Sequence, residues 1–279
     1  MKNLIPFIIL LTALTATGCE ESASSFSYER QVVVTGLLEA GNNVDTLKLV
    51  YTGEVDKTFS PSAYAVTNAV VKIIGTDVAF TDSLVHDPSN PGRYYSTDPS
   101  KIILPTKSYR LDVRTADGKS ITATTTVPDT FSMLFSTLKD KDTVRYDVKK
   151  QVNIFAWTPS RLHGTYLPTV WSTDSNAALI PKSFRRDTVD VPKPDKLGYR
   201  VGLPKEQTYT ELPWIFLSYY GTTKIDVYAV DENYSSFLNQ FVAGQGGELR
   251  EIRYNIQGGI GVFGARTKAF GGISVYLVP

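Results

Sequence analysis

Cysteine is almost absent from this chain, because Cys19 is the single one among 279 residues. No intramolecular disulfide can form, so packing alone must hold the domains together even in an oxidising compartment. Histidine is nearly as scarce, with only His86 and His163. One cysteine and two histidines leave little material for a zinc site, and we expect no metal or other cofactor.

Neither sign of charge is in excess. The chain has 29 Lys and Arg against 28 Asp and Glu, a formal net charge of +1. Nucleic-acid binding requires concentrated positive charge that displaces counterions from phosphates, so we exclude that class of partner. With 42% hydrophobic and 20% charged residues, the chain has the composition of a globular protein.

Local catalytic motifs are also missing: the sequence has no GxSxG, GxxxxGK, HExxH or EF-hand pattern. Gly259, Gly261 and Gly264 spell GxGxxG, but no Asp or Glu follows them and no βαβ unit is indicated. We predict a glycine-rich turn and bulge between the last strands instead, with close backbone packing. The protein is therefore predicted not to be an enzyme, although a dispersed Ser, His and carboxylate site would leave no local signature.

Long hydrophobic runs are absent except near the start, where Leu4–Leu14 is shorter than the ~20 residues of a spanning helix. Lys2 precedes this run, and small residues and Cys19 follow it, which is typical of a secretory signal. The pattern resembles a bacterial lipobox. It predicts a signal peptide over 1–18, a diacylglycerol on Cys19, and a flexible tether over 19–27. The alternative is a secreted protein with an incidental cysteine.

The first half of the chain predicts a β-sandwich domain over residues 28–128. Tyr109, Leu111 and Val113 alternate with polar residues, Asp117-Gly118 supplies a tight turn, and the alternation resumes from Ile121. About seven short strands with turn residues between them favour a sandwich of the immunoglobulin or transthyretin type. The predicted strands are 30–38, 46–51, 70–74, 77–85, 93–97, 108–114 and 120–127.

The second half predicts a β-rich domain over 129–279 with one docked helix. The helix, over 232–243, has Asp231 as its cap and an apolar stripe of Tyr234, Phe237, Leu238 and Phe241. Residues 181–213 form a long, proline-rich and charged insertion. The predicted strands are 151–157, 165–171, 214–220, 222–230, 249–257 and 273–278.

Residues that could bind a ligand are few. We interpret His86 and His163 as solvated turn residues. The loop 87–92 is rich in turn formers and falls short of a calcium site. The 16 Tyr and 13 Phe could stack on sugar rings, so a glycan partner stays open, although strand propensity also explains this enrichment.

The segment 254–265, YNIQGGIGVFGA, carries the most specific resemblance. It resembles the C-terminal signature of a Bacteroidota lipoprotein family, the domain-of-unknown-function family 4249. The signature positions are Asn255, Gly258, Gly259, Gly261, Phe263 and Gly264. An early VVVTGLL strand and a hairpin like the one around Asp117-Gly118 agree. The early domain is similar to transthyretin-like or carboxypeptidase-regulatory-like sandwiches, which are usually non-catalytic.

The resemblance implies an outer-membrane location and an accessory role beside a TonB-dependent transporter, because family members are often encoded near such transporters. Glu20-Glu21 is similar to the acidic export signal of surface lipoproteins in that phylum. No lysine or glutamine precedes the pair, so the cell surface is favoured and the periplasmic face stays open. We therefore expect a non-enzymatic, lipid-anchored accessory subunit of an outer-membrane complex. The alternative is a glycan- or ligand-binding surface lipoprotein.

Overall fold

Strands dominate the part of the chain that can be described. A computed structural model describes residues 29–54, 57–147, 149, 152–174, 178–180, 197–200, 202–244 and 254–279. The compact unit within this part is Gln31–Pro279. Its strands are β1 (Val32–Glu39), β2 (Leu47–Tyr51), β3 (Val70–Gly75), β4 (Thr81–His86), β5 (Arg93–Tyr95), β6 (Ser108–Arg114), β7 (Ser120–Thr126), β8 (Met133–Ser136), β9 (Thr143–Arg145), β10 (Asn153–Trp157), β11 (Thr165–Ser172), β12 (Leu197–Arg200), β13 (Tyr209–Leu212), β14 (Gly221–Val230), β15 (Ile256–Gln257), β16 (Ile260–Lys268) and β17 (Ile273–Val278).

One α-helix of eight or more residues accompanies these strands in the described ranges: α1 (Glu232–Gly244). The all-β fold class and the single helix are confirmed. Tyr234 and Leu238 of α1 pack against Leu167, Tyr228 and Val230, which confirms that the helical stripe faces the core at these two positions.

The first core follows the predicted alternation closely. Strands β6 and β7 pair from Ser108↔Thr126 to Arg114↔Ser120, and Gly118 takes a left-handed φ of 84° in the turn between them. Tyr109, Leu111 and Val113 are fully buried, whereas the intervening residues are partly or fully exposed. The hairpin therefore forms as its sequence indicates, because alternate side chains of a strand point to opposite faces.

A continuous hydrogen-bonded path links both halves of the chain. Its strand order is β12-β11-β14-β16-β1-β2-β5-β4-β3-β6-β7-β15. Strand β1 pairs with β2 in antiparallel and with β16 in parallel, from Val33↔Ile260 to Glu39↔Arg266. The first core consequently includes Ile256, Phe263 and Ala265 from the C-terminal segment. The predicted boundary at residue 128 does not account for this arrangement, because β16 of the second half pairs with β1 of the first half.

The second core is built around β11, β14 and β17. A separate three-stranded sheet, in the order β13-β10-β8, packs its inner face on this core through Phe155, Trp157 and Leu212. Strand β14 is buried on both faces over most of its length, including the charged Asp226. It therefore lacks the one-sided burial of a strand at the surface of a sheet, because elements cover it on both sides.

Three expectations about the second half need correction. Residues 214–220 were predicted as a strand, but Trp214–Phe216 form a 3-10 turn directly after Pro213, with Trp214 buried. Within the predicted insertion 181–213, residues 197–200 and 209–212 are strands, while 181–196 lie outside the described residues. Of the predicted strand 249–257, residues 249–253 lie outside the described residues, Tyr254 and Asn255 are not in a strand, and Ile256–Gln257 form β15. The short strands β8 and β9 were not predicted.

Candidate functional site

The residues predicted to anchor and export the protein, Cys19, Glu20 and Glu21, lie outside the described residues. The predicted lipid anchor and surface export therefore remain predictions. The same applies to the tether over 19–27. The structure does describe the family signature and both histidines, and these residues lead to the candidate site.

The side chain of Asn255, a signature residue, forms hydrogen bonds with the backbone of Phe263 in β16. Its Oδ1 accepts a hydrogen bond from the Phe263 amide at 3.0 Å, and its Nδ2 donates to the Phe263 carbonyl at 2.6 Å. A third contact runs from Nδ2 to the Thr124 carbonyl on β7 at 3.4 Å. One side chain thus satisfies both backbone groups of Phe263 and holds β16 beside β7.

The signature glycines allow close backbone approach. Gly261 has a φ of 111°, and a Cβ atom there would overlap the Val34 carbonyl of β1. At Gly264 a Cβ would lie 2.8 Å from both Asp231 Oδ1 and Tyr234 Cβ. Only glycine leaves room for β1 on one side of β16 and for the start of α1 on the other.

The GxGxxG segment differs from its prediction in one respect. Gly258 and Gly259 do lie in a turn, but residues 260–268 form the nine-residue strand β16 rather than a turn and bulge. Glycine has a low strand propensity, so the sequence did not predict a strand here. The strand forms nevertheless because its pairing with β1 uses backbone hydrogen bonds, which need no side chains. The predicted close packing is present, and the strand leads to β17 rather than to a helix.

A cleft with a volume of about 640 Å³ lies between β7 and the first turn of α1. Hydroxyl groups dominate one wall, and the loop around His163 forms the other. The residues that line the cleft are Thr76, Ser108, Thr124, Thr125, Thr126, Leu162, His163, Lys205, Asp231, Glu232 and Asn233. The structure thus gathers residues from widely separated parts of the chain into one polar cavity, a common setting for a ligand site.

Asp231 lies where β7 meets the start of α1. It is only 3% exposed, and its Oδ1 accepts from the Tyr234 amide at 3.0 Å, which confirms the predicted helix cap. Its Oδ2 accepts from the Thr125 hydroxyl at 2.6 Å. Burial raises the pKa of the Asp231 carboxyl, and the hydrogen bond from Thr125 opposes that rise. The carboxyl therefore ties β7 of the first core to α1.

His163 does not match its prediction as a solvated turn residue. It is 5% exposed, and its ring packs against Tyr166 with 4.3 Å between ring centroids. Nε2 lies 3.0 Å from the Lys205 carbonyl, so this nitrogen donates and carries the proton. Burial lowers the pKa of the imidazole, and Nδ1 has no hydrogen-bond partner within the described ranges. Gly164 permits this burial by letting the first turn of α1 approach closely.

His86 ends β4 and is partly buried, with Nε2 accepting from the Gly92 amide at 3.2 Å. Neither of these two histidine hydrogen bonds joins a ring nitrogen to a hydroxyl, and Ser108 Oγ instead pairs with Thr126 Oγ1 at 2.8 Å. A nucleophile, a base and an orienting group in a hydrogen-bonded chain are what a hydrolase would need. In the described part of the cleft, the Ser108–Thr126 hydrogen bond joins β6 to β7, and the hydrogen bonds of Asp231 join β7 to the start of α1.

The three-stranded sheet has an exposed apolar surface that its sequence did not lead us to predict. On the outer side of the three-stranded sheet, Phe135, Ala156 and Tyr209 pair directly across β8, β10 and β13. Leu134 is 68% exposed, Phe135 54% and Tyr209 55%. We call Leu134, Phe135, Ala156 and Tyr209 the outer apolar surface. The adjacent Leu134-Phe135 pair breaks the alternation of a half-buried strand, and that break is the signal that could have revealed it.

Several ionic groups elsewhere in the described structure form ion pairs. Arg93 bridges Asp45 at 2.9 Å and Asp87 at 2.8 Å, so Asp87 in the loop once considered for calcium is already occupied. No group of three or more His, Cys, Asp or Glu that could hold a metal ion occurs among the residues described. Within the same residues, no helix is long and apolar enough to span a bilayer.

The fold and the junction define an all-β, sandwich-based protein whose C-terminal segment completes its first core. A family model matches residues 20–269, and the chain belongs to that family, which is described as Domain of unknown function (DUF4249). No curated protein matches the chain. Among solved structures, the crystal structure of the chicken CNTN1 FN1-FN3 domains is similar, with 16% identity and a TM-score of 0.28. That match covers 71% of this chain and 60% of the other.

Proposed function

We propose that the protein is a non-enzymatic, lipid-anchored outer-membrane protein that binds a protein partner through the outer apolar surface. The partner class is a TonB-dependent transporter or another outer-membrane complex. The observation that carries the proposal is the row Phe135–Ala156–Tyr209, which crosses three strands and faces solvent. A sheet normally buries its apolar side chains against a second layer, and this sheet has apolar residues on both faces.

The form of the surface favours a protein over a small ligand. It is the face of a sheet, with aromatic side chains at two of its four positions, and aromatic residues are enriched at the centre of protein interfaces. Glu211 lies two residues from Tyr209 on the same face of β13 and is exposed, so a charged group borders the apolar row. An apolar centre with a polar border is the usual anatomy of a protein–protein contact.

The binding experiment compares two pairs of substitutions in the tagged, full-length protein. Leu134→Arg with Phe135→Arg places charge on the outer apolar surface. The matched control is Val70→Arg with Val85→Arg, because those side chains are also exposed, at 58% and 46%, but lie on β3 and β4. We expect an outer-membrane protein to co-purify in mild detergent with the wild type and with the control. With Leu134→Arg and Phe135→Arg, the recovered amount of that protein should fall about tenfold.

The readout is quantitative mass spectrometry against an unrelated lipoprotein. Equal recovery with both substituted proteins would remove the outer apolar surface from the proposal. Failure of any outer-membrane protein to exceed the unrelated lipoprotein would overturn the partner itself. Circular dichroism of both variants checks that the arginines have left the fold intact.

Cys19→Ala tests the anchor separately. The lipid holds the protein at the membrane and contributes nothing to the core, so the variant should move to the soluble fraction and keep its melting temperature. Cell fractionation followed by thermal unfolding measures both properties. Retention of the variant in the membrane fraction would contradict the anchor, and loss of folding would contradict an independent globular unit.

A further inference from the structure

We infer that the cleft between β7 and α1 is a binding site for a neutral saccharide. The first support is the chemistry of its walls. Thr76, Ser108, Thr124 and Thr126 line one side, and Asn233 lies opposite at the start of α1. Hydroxyl and amide groups both donate and accept hydrogen bonds, which matches the alternating donors and acceptors of sugar hydroxyls.

The second support is the buried imidazole at the wall of the cleft. Because Nε2 of His163 donates to the Lys205 carbonyl, Nδ1 of the neutral ring is an acceptor. Burial lowers the pKa of the ring and the nearby Ser160 backbone opposes that shift, but no group donates to Nδ1 within the described structure. Buried polar atoms without partners are rare in native proteins. A ligand hydroxyl, or a water that the ligand retains, supplies the missing donor.

The third support is Leu162, at the edge of the cleft. It is 53% exposed and has a φ of 61°, a left-handed conformation that a leucine rarely adopts. Residues held in such conformations cluster at ligand sites, where surrounding structure enforces them. The exposed side chain offers an apolar contact for the C–H face of a sugar ring, beside the polar wall.

The charges of the cleft favour a neutral ligand over a polyanion. Its ionisable lining residues are His163, Lys205, Asp231 and Glu232. Burial lowers the pKa of His163 and so keeps the ring neutral, and Asp231 is already bound to Thr125 and to the α1 backbone. One lysine and one glutamate remain, which balance each other. Phosphate or polyanion sites instead use several basic groups.

The saccharide site differs from the aromatic surface that the sequence indicated. Tyr94, Tyr109 and Tyr166 are buried in the two cores and Tyr228 is buried beside α1, so none of the four can stack on a ligand. The inference therefore rests on hydroxyl groups and a buried histidine, and it stands apart from the proposed protein partner. Either proposal can fail while the other holds.

The test uses full-length protein with ¹⁵N-labelled histidine, in a zwitterionic detergent without a sugar head group. Maltohexaose, chitohexaose and mannohexaose are titrated separately, and a galacturonate hexamer serves as the anionic probe. We expect at least one neutral hexasaccharide to shift the His163 imidazole resonances, leave those of His86 unchanged, and bind more tightly than the anionic probe. His86 is an internal control, because it lies on β4 and does not line the cleft.

Calorimetry with matched substitutions locates the binding. Ser108→Ala and Lys205→Ala alter the cleft, whereas Ser83→Ala and Lys72→Ala alter exposed residues of β3 and β4. Each cleft substitution should weaken binding about fivefold, as expected for one hydrogen bond, and each control should leave it unchanged. Silence with every neutral hexasaccharide, a shift of His86 alone, or equal effects of cleft and control substitutions would overturn the inference.

Discussion

The two cores of this protein use their sheet faces differently. In the first core, strands such as β1 and β6 bury one face and leave the other partly polar and exposed. In the second core, β14 is buried on both sides, and the adjoining three-stranded sheet has apolar side chains on both faces. Exposed apolar side chains occur beside both cores, but next to the second core they pair directly across three strands, as Phe135, Ala156 and Tyr209 do. A surface of that kind is where a partner gains binding energy.

The largest expected effect tests how strongly the first core depends on the C-terminal segment. Gly261→Val should destabilise the protein by roughly 3–5 kcal/mol, because it combines backbone strain with overlap at β1. Gly202→Ala is the matched control, since a Cβ there would meet only ordinary contacts, the nearest at 3.7 Å. Urea unfolding gives the free energies. A loss for Gly261→Val no larger than for the control would show that β16 does not complete the first core.

An effect of similar size separates the two faces of the three-stranded sheet. Trp157→Ala removes an inner side chain that is 1% exposed and should cost about 3–5 kcal/mol. Leu134→Ala, on the outer apolar surface, should change the free energy of unfolding by about 0.5 kcal/mol or less. Thermal and urea unfolding of the isolated protein measure both. If Leu134→Ala destabilised the protein nearly as much as Trp157→Ala, the outer face would already be covered.

The smallest effect concerns the Asp231 contact between the cores. Because the folded pKa is raised above the unfolded value near 3.8, protonation of Asp231 favours folding. That contribution is fully present below the unfolded pKa and is lost as the pH rises through the folded pKa. Asn at this position still caps α1 through its carbonyl oxygen, and its amide nitrogen can donate to the Thr125 hydroxyl oxygen where Asp231 Oδ2 had accepted. Asp231→Asn should therefore change stability at neutral pH by under about 1 kcal/mol.

Lowering the pH should therefore stabilise the wild type relative to Asp231→Asn. Urea unfolding at about pH 7 and about pH 4 measures the change in this difference, and Asp112→Asn on β6 controls for the loss of a carboxylate elsewhere. A difference that stays constant, or that moves in favour of the variant at low pH, would show that Asp231 is not the buried, proton-linked contact described above.

Local patterns predicted the elements that are stabilised locally. The β6–β7 hairpin has strict alternation and a short turn that contains Gly118, and α1 has its own cap and stripe, so neighbouring residues carry the information. Strands β8 and β9 have only three or four residues, too few for a periodic pattern. The predicted strand at 214–220 became a 3-10 turn because burial of Trp214 against the second core outweighed strand propensity.

The candidate site was predictable only in part. Asp231 was identified as a cap because its acceptor partner lies three residues away, but its other partner, Thr125, lies 106 residues earlier in the chain. His163 was expected in solvent because histidine beside glycine is typical of turns. Its burial depends on Tyr166, on the Lys205 carbonyl and on the approach of α1, and none of these contacts has a signature in the sequence.

By itself the sequence determined the all-β class, the absence of disulfides, the hairpin, the capped helix and the family to which the chain belongs. Tertiary structure alone decided that β16 pairs in parallel with β1, that β7 meets α1, and that a polar cleft forms there. The physical reason is that periodicity records which face of an element is apolar, whereas it does not record the partner. Partners are chosen when distant strands compete to bury those faces and to satisfy backbone hydrogen bonds.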